Sequence, residues 1–424
     1  MADGESPSAF LRRSNLVKKA KYVIIKIVSV KKAVRGKRRS GMKKRKGYWF
    51  IFLFAAILFY PLYGAWLAGG VELSGVTESE EKPVWNLEKA WSGELQTEIN
   101  TYFEQNFGGR QPLIRLRGQL LYSLVNESPN RNVVIGKNKN LYEDFYILTE
   151  ESAQGSVSSD EYFVQLQTKL ESFAKLLRDN GKELYLFITP SKAHFTQEDI
   201  PWRYALLQTD QPNNLAKFRE VLNRIDIPSF VARDYMEAQK ESVDAPYFYT
   251  TGIHWSRPWG VKSVAAFYEM MQQHSRFDLG EILVEYGPYT GEIQWPDADL
   301  YQSLNLLKQP DEAYYSAEVK VVRQGEKPNV FCRGGSFMGQ SWNALVYAGC
   351  FGKDLHYENN YYFTNQYSSK KTVSSFTAYD ETTDWIPFFQ DADIVVLEIN
   401  EAKIGDASFG FMDYVLEHDE ILSR

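Results

Sequence analysis

Two residues in this chain, a serine and a histidine, stand in settings that suit covalent chemistry. Ser336 lies in VFCRGGSFMGQ, residues 330–340, where an apolar run that reads as a β-strand ends in Arg-Gly-Gly-Ser and a helical stretch follows. A serine at the carboxyl end of a parallel strand stands on the edge where α/β folds place their ligands. Gly334 and Gly335 let the chain turn sharply there, and N–H groups at a helix start, with the Gly335 backbone among the candidates, suit an oxyanion. The same Gly-Gly-Ser is also an ordinary strand-to-helix turn with serine as N-cap. A serine nucleophile needs a base, usually a histidine oriented by a third group. Only His254 has a matching context, in YFYTTGIHWSRPWG, where a strand-like YFYTT leads in and a helix N-terminus follows. Its competing reading is a packed histidine beside Trp255.

Weaker candidates surround this pair. Arg333, next to the serine turn, suits an anionic sugar, or is simply solvated at a strand end. Asn400, in LEINEAKIG after the last apolar run, carries an amide able to support an oxyanion, with Glu398 and Glu401 flanking it. Ser191 and Lys192 close LFITPSK on the same expected edge, where a turn role for Pro-Ser is the stronger reading. The five histidines are too scattered for a zinc site and no Cys/His metal spacing occurs, so no metal and no cofactor is called for. Cys332 and Cys350 are either a disulfide or two buried thiols on neighbouring strands.

The elements that would carry these residues follow from periodicity and turn signals. Residues 84–125 show apolar positions at helical spacing and predict two helices with a turn at Gly108-Gly109 and Pro112. NVVIGKNKNLYEDFYIL predicts a hairpin turning at Gly136 to Asn140. DEYFVQLQTKLESFAKLLRDNGK is a helix stopped by Asn180-Gly181, ELYLFITP a strand closed by Pro190, NNLAKFREVLNRI a helix and SFVARDYM a further strand. SRPWGVKSVAAFYEMMQQHS is a helix opened by Ser256 and Pro258, and PNVFCRGGS and ADIVVLEIN are the clearest remaining strands. Helices alternating with short, near-continuous apolar strands imply a mostly parallel sheet covered on both faces. Residues 275–328 interrupt this alternation with YGPYTGEIQWPDADLYQ and a strand-like YYSAEVKVVRQ, either an insertion lining a groove with aromatic and acidic side chains or an ordinary packed excursion.

Charge and hydropathy add a topology. Residues 1–46 contain 16 Lys+Arg against Asp3 and Glu5, a net of +14, which leaves −20 on the rest of a chain whose total is −6. The 25 residues 47–71 contain no charge, and about 20 apolar residues suffice to cross a bilayer as a helix. The positive-inside rule then puts residues 1–46 in the cytoplasm, and residues 72–424 outside, beginning with a polar linker at 72–85. The basic, partly apolar segment 15–34 either lies on the inner leaflet or is a solvated tail. A basic run beside a membrane span is explained by topology and calls for no nucleic acid.

Four stretches in order, VVIGKNKNLYE, LFITPSKAHFTQEDIP, TGIHWSRPWGVKSV and VFCRGGSFMG, resemble the alginate O-acetyltransferase family of the SGNH-hydrolase-like superfamily over roughly residues 85–424. The resemblance implies a three-layer SGNH-like α/β/α domain at 86–424, with a central, mostly parallel sheet and an insertion at about 275–328, preceded here by one transmembrane helix. Ser336 falls on the family's nucleophile and His254 on its base. This implies acetyl transfer through an acyl-serine onto hydroxyls of an extracytoplasmic polysaccharide, with a membrane-bound O-acyltransferase partner supplying the acetyl group. The alternatives are a polysaccharide O-acetyl esterase and a non-catalytic polysaccharide-binding or assembly component with a degenerate site. Two positions depart from the family: Gly335 replaces an Asp before the serine, and Gly252 replaces the Asp two residues before the histidine. The second leaves the triad acid unassigned, its replacement being a backbone carbonyl or a carboxylate from elsewhere, such as Asp244 or one of the 275–328 segment.

Overall fold

Runs of two to ten residues, bounded by glycine, proline and polar turns, form the strands of a computed structural model that describes residues 43–60, 73–74, 82–106, 108–240, 242–288, 293, 296–358, 361–364, 371–372 and 385–422. In chain order the strands are β1 (Val133–Ile135), β2 (Leu141–Glu143), β3 (Glu183–Thr189), β4 (Ser229–Val231), β5 (Gly280–Pro288), β6 (Tyr315–Gln324), β7 (Val330–Gly334), β8 (Asp354–Glu358), β9 (Tyr361–Thr364), β10 (Lys371–Thr372) and β11 (Ile394–Asn400). A seven-stranded sheet has the order β10-β9-β8-β7-β11-β3-β4. Strands β8, β7, β11, β3 and β4 run parallel, and β9 and β10 close one edge antiparallel.

All residues of β7 and β11 are buried, and all but Glu183 of β3, which is why these strands read as near-continuous apolar runs. Their side chains alternate between two cores, as the strand period of two requires. Tyr185, Phe187, Cys332, Ile394 and Val396 face one core with Trp255, Trp259, Phe267 and Trp342. Leu184, Leu186, Phe331, Val395 and Leu397 face the other with Phe173, Phe218 and Phe411. The first core is covered by the helices Arg257–His274 and Ser336–Ala348, and the second by Asp160–Asp179, Asn214–Leu222 and Phe411–Glu417. The result is the expected α/β/α arrangement around a mostly parallel sheet.

Several expectations change in detail. Residues 84–125 form three helices, Leu87–Ser92, Glu94–Asn106 and Arg110–Leu120, because Gly93 takes the left-handed conformation (φ 86°) and ends the first. SFVARDYM is a strand only to Val231 and then a helix, Ala232–Ala238. YFYTT is not a strand: it joins one isolated bridge, Phe248 to Trp255, within a loop. The 275–328 segment holds an antiparallel ribbon of β5 and β6, and β8 to β10 lie in a stretch for which no element was expected. Cys332 and Cys350 are buried thiols with no disulfide between them, and burial pushes the Cys350 thiol up to about 11.

The chain divides into two compact units, with the helices Leu87–Ser92 and Glu94–Asn106 in the first and everything from Gln111 onward in the second. Of the expected span at 47–71, residues 47–60 are described and lie largely in the helix Lys43–Leu58. Among the described residues no helix is long and apolar enough to cross a membrane. The segment 15–34 and residues 61–71 lie outside the described residues.

Candidate active site

The nucleophile turn is built by three neighbouring parallel strands. Strand β7 ends at Gly334, Gly335 continues extended, and Ser336 opens a 13-residue helix, partly exposed at its N-terminus. A Cβ on Gly334 would stand 2.7 Å from both Cβ and Oε2 of Glu398 on the adjoining β11, so the close approach of the two strands requires glycine. Glu398 is wholly buried, and its carboxylate accepts the Gly335 N–H (2.6 Å) and the Thr189 hydroxyl at the end of β3. Burial raises the pKa of Glu398, opposed by these hydrogen bonds and by the charge of Arg333.

Three weaker candidates are corrected by this geometry. The Gly335 N–H points at Glu398, which removes it as an oxyanion donor. Arg333 is neither solvated nor sugar-facing: it is fully buried, and its Nη1 donates to the Gly334 carbonyl (2.9 Å). The Asn400 amide donates to Thr189 Oγ1 (3.2 Å) and the Pro190 carbonyl (3.0 Å), while its Oδ1 accepts the Ala402 N–H (3.0 Å). Its hydrogen bonds tie β11 to the end of β3 and cap the following turn, so it is a local brace. Glu401 beyond it is bound by the buried Arg233, which also holds Glu150.

Ser336 and His254 meet. His254 Nε2 lies 2.8 Å from Ser336 Oγ, and its Nδ1 lies 2.9 Å from Asp299 Oδ2. A carboxylate accepts only, so Nδ1 carries the proton and Nε2 is left to accept from the serine hydroxyl. The imidazole is buried, with Phe337 tilted over it at 4.6 Å between ring centroids. Asp299 begins the short helix Asp299–Ser303, and its other oxygen accepts the N–H groups of Ile253 (3.0 Å) and Leu300 (2.8 Å). The carboxylate is thereby aimed by backbone donors on both sides of the contact.

Asp299 belongs to the 275–328 segment, and the other carboxylate considered, Asp244, is exposed. The reason for Gly252 is steric. A Cβ there would stand 2.6 Å from the Asp297 carbonyl oxygen and 3.2 Å from Asp299 Oδ1. The 297–299 backbone fills the space that a side chain at 252 would need, and it delivers the acid from a different part of the chain.

Three further residues bear on the site: Lys192, which the sequence offers only beside a Pro-Ser turn, and Glu312 and Glu143, which it does not single out. Lys192 is wholly buried, and its Nζ donates to the carbonyls of Leu141 (2.7 Å), Tyr249 (2.7 Å) and Gly252 (2.6 Å), with Thr250 at 3.3 Å. Glu312 accepts from the backbone N–H (2.7 Å) and hydroxyl (3.1 Å) of Thr250, and from the hydroxyl of Thr251 (2.6 Å). Glu143, which ends β2, has its pKa raised by burial and by the nearby Asp299. A lysine two residues after a strand-ending proline was the available signal for the first. Nothing local marked the other two.

No family model matches the sequence, and no curated protein does. Solved structures similar to this chain include the O-acetyltransferase domain of Pseudomonas putida AlgJ, at 18% identity and a TM-score of 0.41, covering 65% of this chain and 92% of that one. Pseudomonas aeruginosa AlgX follows at 15% identity and a TM-score of 0.40, over 66% of this chain and 67% of that one. Bacillus cereus PatB1 is 10% identical with a TM-score of 0.37, over 60% of this chain and 93% of that one.

Proposed function

We propose that this chain is a serine O-acyltransferase that places acetyl groups on hydroxyls of a cell-envelope or secreted polysaccharide. The observation that carries the reading is the Ser336–His254–Asp299 relay, with both contacts at hydrogen-bond distance. In the first half-reaction Ser336 Oγ attacks the acyl carbonyl while His254 Nε2 takes its proton. The tetrahedral intermediate collapses, the leaving group departs with that proton, and an acetyl-serine remains. In the second, an acceptor hydroxyl attacks the acetyl-serine, His254 takes the hydroxyl proton, and Ser336 recovers it as the product ester leaves. Asp299 holds the imidazole in the required tautomer and stabilises its protonated form. The positive end of the helix opened by Ser336 favours the negative charge that develops on the carbonyl oxygen.

The acetyl group and the polysaccharide acceptor rest on the motif resemblance. The uncharged run 47–71 after a basic tail supports a single-pass anchor in the cell membrane, with the N-terminus in the cytoplasm and the sheet-bearing part outside. Cytoplasmic acyl thioesters do not reach that side, which is why a membrane-bound O-acyltransferase is the proposed acetyl supplier. The relay supports catalysis over the degenerate-site reading, since Asp299 replaces the acid missing at Gly252.

The test uses the full chain in detergent, exposed to p-nitrophenyl acetate and read by intact-mass spectrometry. A gain of one acetyl group that disappears in Ser336→Ala and His254→Ala is expected, followed by its loss to an added polysaccharide faster than to water. A folded protein that never acylates would overturn the enzymatic reading. Transfer to water alone would make it an esterase.

A further inference from the structure

The loop before His254 has no ladder, so its backbone polar groups need other partners. The Tyr249 and Gly252 carbonyls go to the Lys192 ammonium, and the Thr250 carbonyl takes the Leu141 N–H at 2.8 Å. The Thr251 carbonyl takes the Tyr301 N–H at 2.9 Å, and the Thr250 N–H goes to Glu312. A cation thus grips the carbonyl side and an anion the amide side of the same short segment. Downstream, the Ser256 hydroxyl is bonded to the Pro246 carbonyl (2.6 Å), which closes the loop on itself. The gripped segment ends two residues before the imidazole.

Resting on the proposed function, we infer that Lys192 and Glu312 are positioning residues, and that their opposed grip on residues 249–252 sets the distance from His254 to Ser336. A neutral side chain at 192 frees three or four buried carbonyls, and the loop must move to rehydrate them. A shift of about 1 Å in the base costs about 100-fold in rate.

The groups facing Lys192 are Glu312, Asp299, Asp199 and the ring of Tyr142, whose centroid lies 5.2 Å from Nζ. Burial lowers its pKa to about 7, with the three carboxylates opposing. The ammonium therefore titrates near neutrality, and an amine has too few N–H groups to serve the carbonyls it now holds. The acylation rate should fall on the alkaline side. Stability should move the other way: above about 7 the unfolded chain keeps a proton on Lys192 that the folded one has released, so this group adds stability as pH rises towards 10.5. A merely structural lysine would give the stability slope without the loss of rate.

The test compares full-length wild type, Lys192→Met and Glu312→Gln by pre-steady-state acylation with p-nitrophenyl acetate across pH. It also follows the His254 imidazole by ¹⁵N NMR, tractable with five histidines in the chain. Lys192→Met should acylate about 100-fold more slowly, without the alkaline fall, and with a shifted His254 signal. Glu312→Gln should lose about tenfold, the scale of one hydrogen bond. Unchanged rate and unchanged His254 signal in a folded Lys192→Met protein overturn the inference. Should Lys192→Met not fold, the same two readouts on Glu312→Gln decide it. If wild type itself never acylates, the proposed function fails, and the NMR comparison still judges the grip.

Discussion

The two halves of the candidate site are held by opposite means. Ser336 follows the end of a strand whose neighbours β8 and β11 both run parallel to it, and a turn of two glycines aims it with Glu398 inserted behind. His254 and Asp299 come from the loop 247–256 and the segment 296–299, where backbone groups are satisfied by buried Lys192, by Glu312 and by each other. A ladder supplies precise placement through bonds every residue already carries. A loop needs dedicated side chains, and buried charged ones are worth their desolvation only where they meet several backbone dipoles at once. The nucleophile side should therefore tolerate loss of a polar group and resist added bulk, while the base side should depend on individual polar groups.

The sharpest break is at the reacting atoms: Ser336→Ala should remove covalent acylation altogether, a loss of about 10⁶-fold for a residue of this role, read by intact mass. Asp299→Asn keeps the shape but presents an amide to Nδ1 and favours the wrong tautomer. A loss of about 10⁴-fold with a nearly unchanged melting temperature is expected. Restoring an acid at the family position should fail. Gly252→Asp in an Asp299→Ala background meets the Asp297 carbonyl, so activity stays low and stability drops by about 1–3 kcal/mol in denaturant melts. Recovery of rate in that double variant would sink the steric account. On the other half, Gly334→Ala pushes β7 off Glu398 and should cost a similar 1–3 kcal/mol or so, from overpacking alone.

The smallest effect concerns Glu398. Its raised folded pKa means the folded state keeps a proton that the unfolded chain gives up near the ordinary carboxylate range. The stability it contributes is present below that range and is lost as pH rises through the raised value. Glu398→Gln should flatten this slope and reduce acylation only about tenfold. A loss comparable to that of Asp299→Asn would mean that the ladder alone does not place the nucleophile.

Much of the nucleophile side was legible because its determinants are local. The apolar run, Gly334 and Ser336 are contiguous, and burial on both faces of a parallel sheet leaves an unmistakable pattern in β3, β7 and β11. YFYTT has the composition of a strand but forms a loop, because β-branched and aromatic residues also suit a loop packed into the core with Trp255 and Trp259. Arg333 and Asn400 suggest functional roles because both stand at the carboxyl edge of the sheet. The first is sealed in the sheet, and the second spends its amide on Thr189 and Pro190.

By itself the sequence determined the α/β alternation and offered the candidate serine and histidine, each with a setting that suits its chemistry. All of these rest on local patterns or on residue chemistry. The tertiary structure decided that Asp299 lies against the His254 imidazole, that the Asp297 carbonyl leaves no room for a side chain at 252, and that a lysine just beyond β3 holds the loop before the histidine. These are contacts between residues 45 to 60 positions apart, and no spacing rule in a single sequence encodes which buried charge will meet which unpaired carbonyl.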